Sequence, residues 1–122
     1  MQRIMLIEDD PTMVLLLKLL LEMEGYDVSL YGDATQDKAL NAMLTESPDL
    51  VLLDINLQRM NGLELLMQMR LDARLNAVKV IMTSGYDSSD TCLKAGANAF
   101  LLKPYMPDDL IGHIKKEITK SA

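Results

Sequence analysis

Three observations predict an α/β domain built on a parallel sheet. Five short apolar runs alternate with five stretches of helical period, in the order βαβαβαβαβα. The third run, Leu50 to Leu53, is apolar without a break, as expected of a central strand covered on both faces. The chain has 122 residues, 49% apolar and 25% charged, which is the composition of one globular domain with a substantial core.

The first strand is read at Arg3 to Ile7. Asp10 and Pro11 then supply an N-cap and a first-turn proline for a helix that ends at Glu24-Gly25. A second strand follows around Asp27 to Tyr31. Asp33 and Gln36 have the spacing of a capping box, and Ala39, Leu40, Met43 and Leu44 lie on one face of the helix they open. Ser47-Pro48-Asp49 leads into the third strand, which stops at Asp54. Beyond Asn61-Gly62, the positions Leu63, Leu66, Met67 and Leu71 form the stripe of a third helix. Val78 to Met82 is the fourth strand, Ser88 to Ala95 a short helix closed by Gly96, and Ala99 to Leu102 the fifth strand. The last helix starts near Pro107 and buries Leu110, Ile111, Ile114 and Ile118. Asp108 and Asp109 at its start and Lys115, Lys116 and Lys120 towards its end match the helix dipole. Residues 1–122 are read as a single domain, with 119–122 either its end or the start of a linker.

Composition narrows the function classes. A net charge of −6 argues against a nucleic-acid surface, which draws its affinity from Lys and Arg on phosphates. The apolar run from Met13 to Leu21 is interrupted by Lys18 and falls far short of the roughly 20 residues of a membrane span. The first residues lack the order of a secretory signal. A single cysteine, Cys92, suits a reducing compartment, so a cytoplasmic protein is expected.

The chemistry collects where the strands end, because ligands of open α/β sheets bind in the crevice at the carboxyl ends. The first strand ends in Glu8-Asp9-Asp10, the third in Asp54, the fourth in Thr83-Ser84 and the fifth in Lys103-Pro104. Right-handed crossovers leave few strand orders, and the order 2-1-3-4-5 puts Glu8 and Asp9 beside Asp54. Three carboxylates so close need protons or a cation, and oxygen-only ligands favour Mg²⁺ over zinc. An aspartate can act as a nucleophile towards a phosphoryl group if donors stabilise the transferring oxygens. Lys103 and the Ser84 hydroxyl are expected to converge on one side of Asp54 while the metal holds the other.

These residues resemble a known family along nearly the whole chain. Met5-Leu6-Ile7-Glu8-Asp9-Asp10-Pro11, Asp49-Leu50-Val51-Leu52-Leu53-Asp54, Met60-Asn61-Gly62, Val80-Ile81-Met82-Thr83-Ser84 and Ala95-Gly96-Ala97-Asn98-Ala99-Phe100-Leu101-Leu102-Lys103-Pro104 stand in the order seen in the receiver domains of bacterial response regulators. The resemblance implies a flavodoxin-like (βα)5, doubly wound sheet. It implies that Asp54 is the phosphoacceptor, Asp9 a direct Mg²⁺ ligand, Glu8 the second acid and Asn56 a ligand through its backbone carbonyl. Ser84 and Phe100 fill the switch positions, and Lys103 precedes a proline, Pro104, whose peptide bond is expected to be cis. The implied partners are a sensor histidine kinase or phosphotransfer protein and an output domain or partner protein, with homodimer formation on activation. Such a domain is not an enzyme with a separate substrate; it catalyses its own phosphotransfer and slow dephosphorylation, and phosphorylation changes the surface around the fourth helix and fifth strand.

Two positions depart from the family. Gln58 stands where proline is common, which removes a φ restraint and predicts a looser loop with altered rates and intact acceptor chemistry. The stretch from Ser84 to Gly96 is about three residues, nearly one helical turn, shorter than usual, which bears on the output surface. A haloacid-dehalogenase-type phosphatase is a poor fit, because Asn56 stands where that family needs an acid and base. An electron carrier of flavodoxin type would need a phosphate-holding loop, which Glu8-Asp9-Asp10 would repel. A receiver that binds partners without being phosphorylated is the remaining rival. Asp10 is read as a plain N-cap, His113 as an ordinary helix residue, Cys92 as a small hydrophobe and Thr83 as structural.

Overall fold

The structure, a computed structural model, describes residues 1–120. Strands β1 (Arg3–Ile7), β2 (Asp27–Leu30), β3 (Leu50–Asp54), β4 (Lys79–Ser84) and β5 (Ala99–Leu102) alternate with helices α1 (Pro11–Met23), α2 (Gln36–Glu46), α3 (Gly62–Leu71), α4 (Ser89–Lys94) and α5 (Pro107–Thr119). Every strand pair is parallel, in the order β2-β1-β3-β4-β5. Among the described residues no helix is long and apolar enough to cross a membrane.

Both faces of the sheet are covered, which is why β3 reads as an unbroken apolar run. Ile4 and Leu6 of β1, Leu50 and Leu52 of β3, Ile81 and Leu101 pack under α1 and α5 through Leu17, Leu21, Leu110 and Ile114. Met5, Ile7, Val51, Leu53, Val80 and Met82 face the other way, onto Ala39, Met43, Leu65, Leu66, Met69 and Cys92. The two-residue strand period has a consequence at the carboxyl edge. Glu8 continues the series Ile4-Leu6, Asp54 the series Leu50-Leu52, and Lys103 the series Ala99-Leu101, so all three belong to the face under α1 and α5. Ser84 continues Val80-Met82 on the opposite face, which Phe100 shares.

Several elements differ from the sequence reading. The α2 cap is Thr35, whose hydroxyl accepts from the Lys38 amide, so Asp33 is not the capping residue. Ala34 explains the shift: it is buried and its amide closes a turn onto the Tyr31 carbonyl, so the chain enters the helix two residues later. On α3 the buried stripe is Gly62, Leu65, Leu66 and Met69, while Met67 and Leu71 are 50% and 86% exposed. The helix is turned by the packing of Gly62 onto β3. On α5 Ile111 is only half-buried. Strand β4 runs on to Ser84 and α4 has six residues, consistent with the short segment seen in the sequence. Thr119 closes α5 and Lys120 caps it; Ser121 and Ala122, the rest of the stretch read as the domain's end or the start of a linker, lie outside the described residues.

Candidate functional site

The acids of β1 and β3 meet. One carboxylate oxygen from each of Glu8, Asp9 and Asp54 lies within 4.8 Å of the others. At that spacing each pair repels by about 3 kcal/mol at an effective dielectric near 20. Glu8 and Asp54 are only 4% and 6% exposed, so water does little to relieve them. Lys103 does: its Nζ donates to Glu8 Oε1 at 2.5 Å and to Asp54 Oδ2 at 2.9 Å. Burial pulls the Lys103 pKa down, but hydrogen bonds and charge from Glu8 and Asp54 outweigh it and leave the ammonium above its ordinary 10.5. The sequence reading set this ammonium and the Ser84 hydroxyl on one side of Asp54 and the metal on the other. Lys103 also bonds Glu8, because β5 brings it to the same face as both acids and the two buried anions draw it in.

Each acid also accepts a backbone N–H. Asp10 donates to Glu8 Oε2 at 3.2 Å, Asn56 to Asp54 Oδ1 at 3.2 Å and Gln58 to Asp9 Oδ2 at 2.8 Å. Two loops pack against the backbone at these strand ends, the β2–α2 loop through Gly32 and the β3–α3 loop through Gly62. A Cβ on Gly32 would lie 1.9 Å from the Glu8 carbonyl oxygen, and one on Gly62 would lie 2.2 Å from that of Asp54. Only glycine permits either approach. Asn56 pairs with Asn61 in an isolated antiparallel bridge, and Gly62 N donates to the Ile55 carbonyl, so residues 56–61 form a closed loop. At Gln58, where the sequence reading expected a looser loop for want of a proline, the N–H that a proline would lack ties this loop to Asp9. The cluster offers carboxylate oxygens alone, which suits a small hard cation.

The sequence profile of the response regulator receiver domain matches residues 4–115. The chain belongs to this receiver family. Relatives include the DNA-binding response regulator MtrA of Mycolicibacterium smegmatis, 34% identical over 98% of this chain and 52% of the relative. The alkaline phosphatase synthesis transcriptional regulatory protein PhoP of Bacillus subtilis is 30% identical over 98% of this chain and 50% of its own length. The receiver thus spans about half the length of these relatives. A CheY-like receiver domain from Methanospirillum hungatei JF-1 superposes with a TM-score of 0.86 at 34% identity, covering 98% of this chain and 95% of that one. The receiver domain of a sensor histidine kinase from Pseudomonas aeruginosa PAO1, with a magnesium ion coordinated in its active-site cleft, superposes at 0.84 with 26% identity, covering 97% of this chain and 98% of that one.

The other predicted positions fall at several places in the fold. Ser84 is fully buried, and its Oγ accepts from the Tyr86 amide at 3.2 Å. Phe100 is half-buried against the α2, α3 and α4 side. The Lys103–Pro104 peptide is cis, and the Lys103 amide donates to the Ser84 carbonyl at 2.8 Å. Asn56 is exposed, Thr83 and Cys92 are buried, and burial raises the Cys92 thiol pKa. Lys115 pairs with Glu24 at 3.0 Å rather than serving the helix end alone.

Sequence reasoning missed four contributors. Tyr105 lies close to Lys103, and burial, with the nearby acids, pushes its pKa up to about 12 against the lowering effect of Lys103. Gly32 was not singled out, and nothing in its neighbourhood of the sequence marks the close approach. The Gln58 amide was passed over because only the side chain and the absent ring were considered. Arg70 of α3 donates to the carbonyls of Val78 and Gly96, both at 2.9 Å, and to Asn98 Oδ1 at 3.2 Å, tying the loops before β4 and β5 together. An arginine at a helix end reads first as a dipole partner, so only the tertiary contacts identify it as a clamp.

Proposed function

We propose that Asp54 of this receiver accepts a phosphoryl group, and that Glu8, Asp9, Asp54 and the main-chain carbonyl of Asn56 hold the Mg²⁺ that the transfer needs. The observation that carries this reading is the meeting of three carboxylates with one ammonium at the carboxyl edge of the sheet. In the transfer, an Asp54 carboxylate oxygen attacks phosphorus and forms the O–P bond of an acyl phosphate. The P–N bond of a phosphohistidine breaks, and the imidazole nitrogen leaves with the electron pair. Mg²⁺, when bound, supplies positive charge beside the acceptor that offsets the charge arriving with the phosphoryl group. Lys103 already touches Asp54, so its ammonium is at hand for the transferring oxygens without a large reorganisation. Dephosphorylation is the attack of water on the same phosphorus, with Asp54 leaving.

The donor is a sensor histidine kinase or phosphotransfer protein. An apolar groove of about 430 Å³, lined by Met13, Leu16, Leu20, Pro104, Tyr105 and neighbouring residues, opens beside Lys103 and suits such a partner. Ser84 then turns its hydroxyl to the phosphoryl group and Phe100 moves into the space released, which alters the α4–β5 surface that an output domain or partner, or a second copy, reads. Their common face of the sheet supports this coupling. The test is incubation with acetyl phosphate and Mg²⁺ followed by intact-mass measurement. One phosphoryl mass is expected on the unaltered protein and none on Asp54→Ala. An unmodified wild type would leave a receiver that binds partners without accepting phosphate.

A further inference from the structure

We propose that the backbone N–H of Gln58 is a positioning group for magnesium binding: it orients the Asp9 carboxylate and so couples ion binding to the β3–α3 loop. This rests on the reading of Glu8, Asp9 and Asp54 as ion ligands. The three acids are held differently. Glu8 and Asp54 share the Lys103 ammonium, whereas Asp9 makes no ion pair among the described residues and its Oδ2 accepts from Gln58 N at 2.8 Å. One oxygen of Asp9 is thereby occupied and the other remains for a cation. A carboxylate restrained in this way loses less freedom when it ligates, which is how partners of ligands raise metal affinity.

The donor is itself held in place. The Asn56–Asn61 bridge closes the loop, Met60 is buried beneath it, and Gly62 abuts the Asp54 carbonyl at its base. Gln58 is therefore aimed at Asp9 by a loop rooted on the strand that carries Asp54. The side chain of Gln58 is exposed and plays no part in the hydrogen bond. Proline at this position could not make it, because proline has no amide hydrogen. The Gln58 main chain thus links two of the ligands, Asp9 of the first strand and Asp54 of the third, through one short loop.

The experiment titrates MgCl₂ into isotopically labelled protein and follows amide resonances. Wild type and Gln58→Ala, which keeps the N–H, are expected to bind Mg²⁺ with the same affinity, and Gln58→Pro about tenfold more weakly. The Gln58 amide of the wild type should be protected from hydrogen exchange both without and with saturating Mg²⁺. Equal or tighter binding by Gln58→Pro, or loss of that protection as Mg²⁺ is added, overturns the proposal. Should Gln58→Pro fail to fold, the protection of the wild-type amide decides alone. A wild type that binds no Mg²⁺ overturns the ligand reading as well, whereas binding that is indifferent to the proline overturns only the role of Gln58.

Discussion

The loops that follow β3 and β4 leave adjacent strands at the same edge, yet they are built to different standards. The first is braced throughout: Ile55 N reaches the Thr83 carbonyl, Asn56 pairs with Asn61, and Asn61 Oδ1 caps α3 through the amides of Leu63 and Glu64. The second is open. Gly85, Tyr86 and Asp87 are exposed, Ser88 makes no side-chain cap bond, and α4 buries only Cys92. The difference separates two tasks. On the proposed function, Asp54 and its charged neighbours need a fixed geometry, whereas a surface that reports their state needs alternatives within a few kcal/mol.

The largest expected effect comes from removing the charge that holds the acid end together. Lys103→Met leaves Glu8 and Asp54 buried without their ammonium and should cost about 3 kcal/mol of stability in denaturant unfolding without Mg²⁺. The pH dependence has a definite sign. Because the folded-state pKa of Lys103 lies above 10.5, its contribution is complete below that pH and is lost as pH rises through the folded value. The gap between wild type and Lys103→Met should therefore be constant through neutrality and close at the alkaline end. A gap that widens there would contradict the bridging geometry.

The glycines at the two loops give the next contrast. Gly62→Ala drives a Cβ into the Asp54 carbonyl and should cost about 2 kcal/mol, whereas Gly85→Ala meets nothing within 4 Å and should stabilise by about 0.5 kcal/mol through the unfolded chain. Thermal unfolding of the two variants side by side checks this, and equal responses would remove the distinction between the loops. The smallest effects are at the caps. Asn61→Ala loses two amide contacts and should cost about 1 kcal/mol, while Ser88→Ala should change stability by only a few tenths. A costly Ser88→Ala would show that the second loop is better anchored than its hydrogen bonds suggest.

Where the sequence was hard to read, the difficulty has a local cause. Leu63, Leu65, Leu66, Met67, Met69 and Leu71 make almost every turn of α3 apolar, so periodicity cannot select the buried face. The selection is made by Gly62 against β3. Asp33 and Thr35 are both good capping residues, and the turn at Ala34 decides between them. The acids and the lysine were legible because polar residues directly after apolar strands are conspicuous. The partners of their individual oxygens were not, since Asp9 and Gln58 lie 49 positions apart and Lys103 and Glu8 lie 95 apart.

From its amino-acid order alone, this protein declares an alternating α/β chain, its covered central strand and the polar residues at the strand ends, because each of these follows from periodicities of two and 3.6 residues within a few neighbours. Which oxygen meets which hydrogen was decided only in three dimensions. Lys103 serves Glu8 as well as Asp54, and the main chain of Gln58 serves Asp9, because strand order and the close contact of Gly62 with β3 bring together groups that no local rule relates.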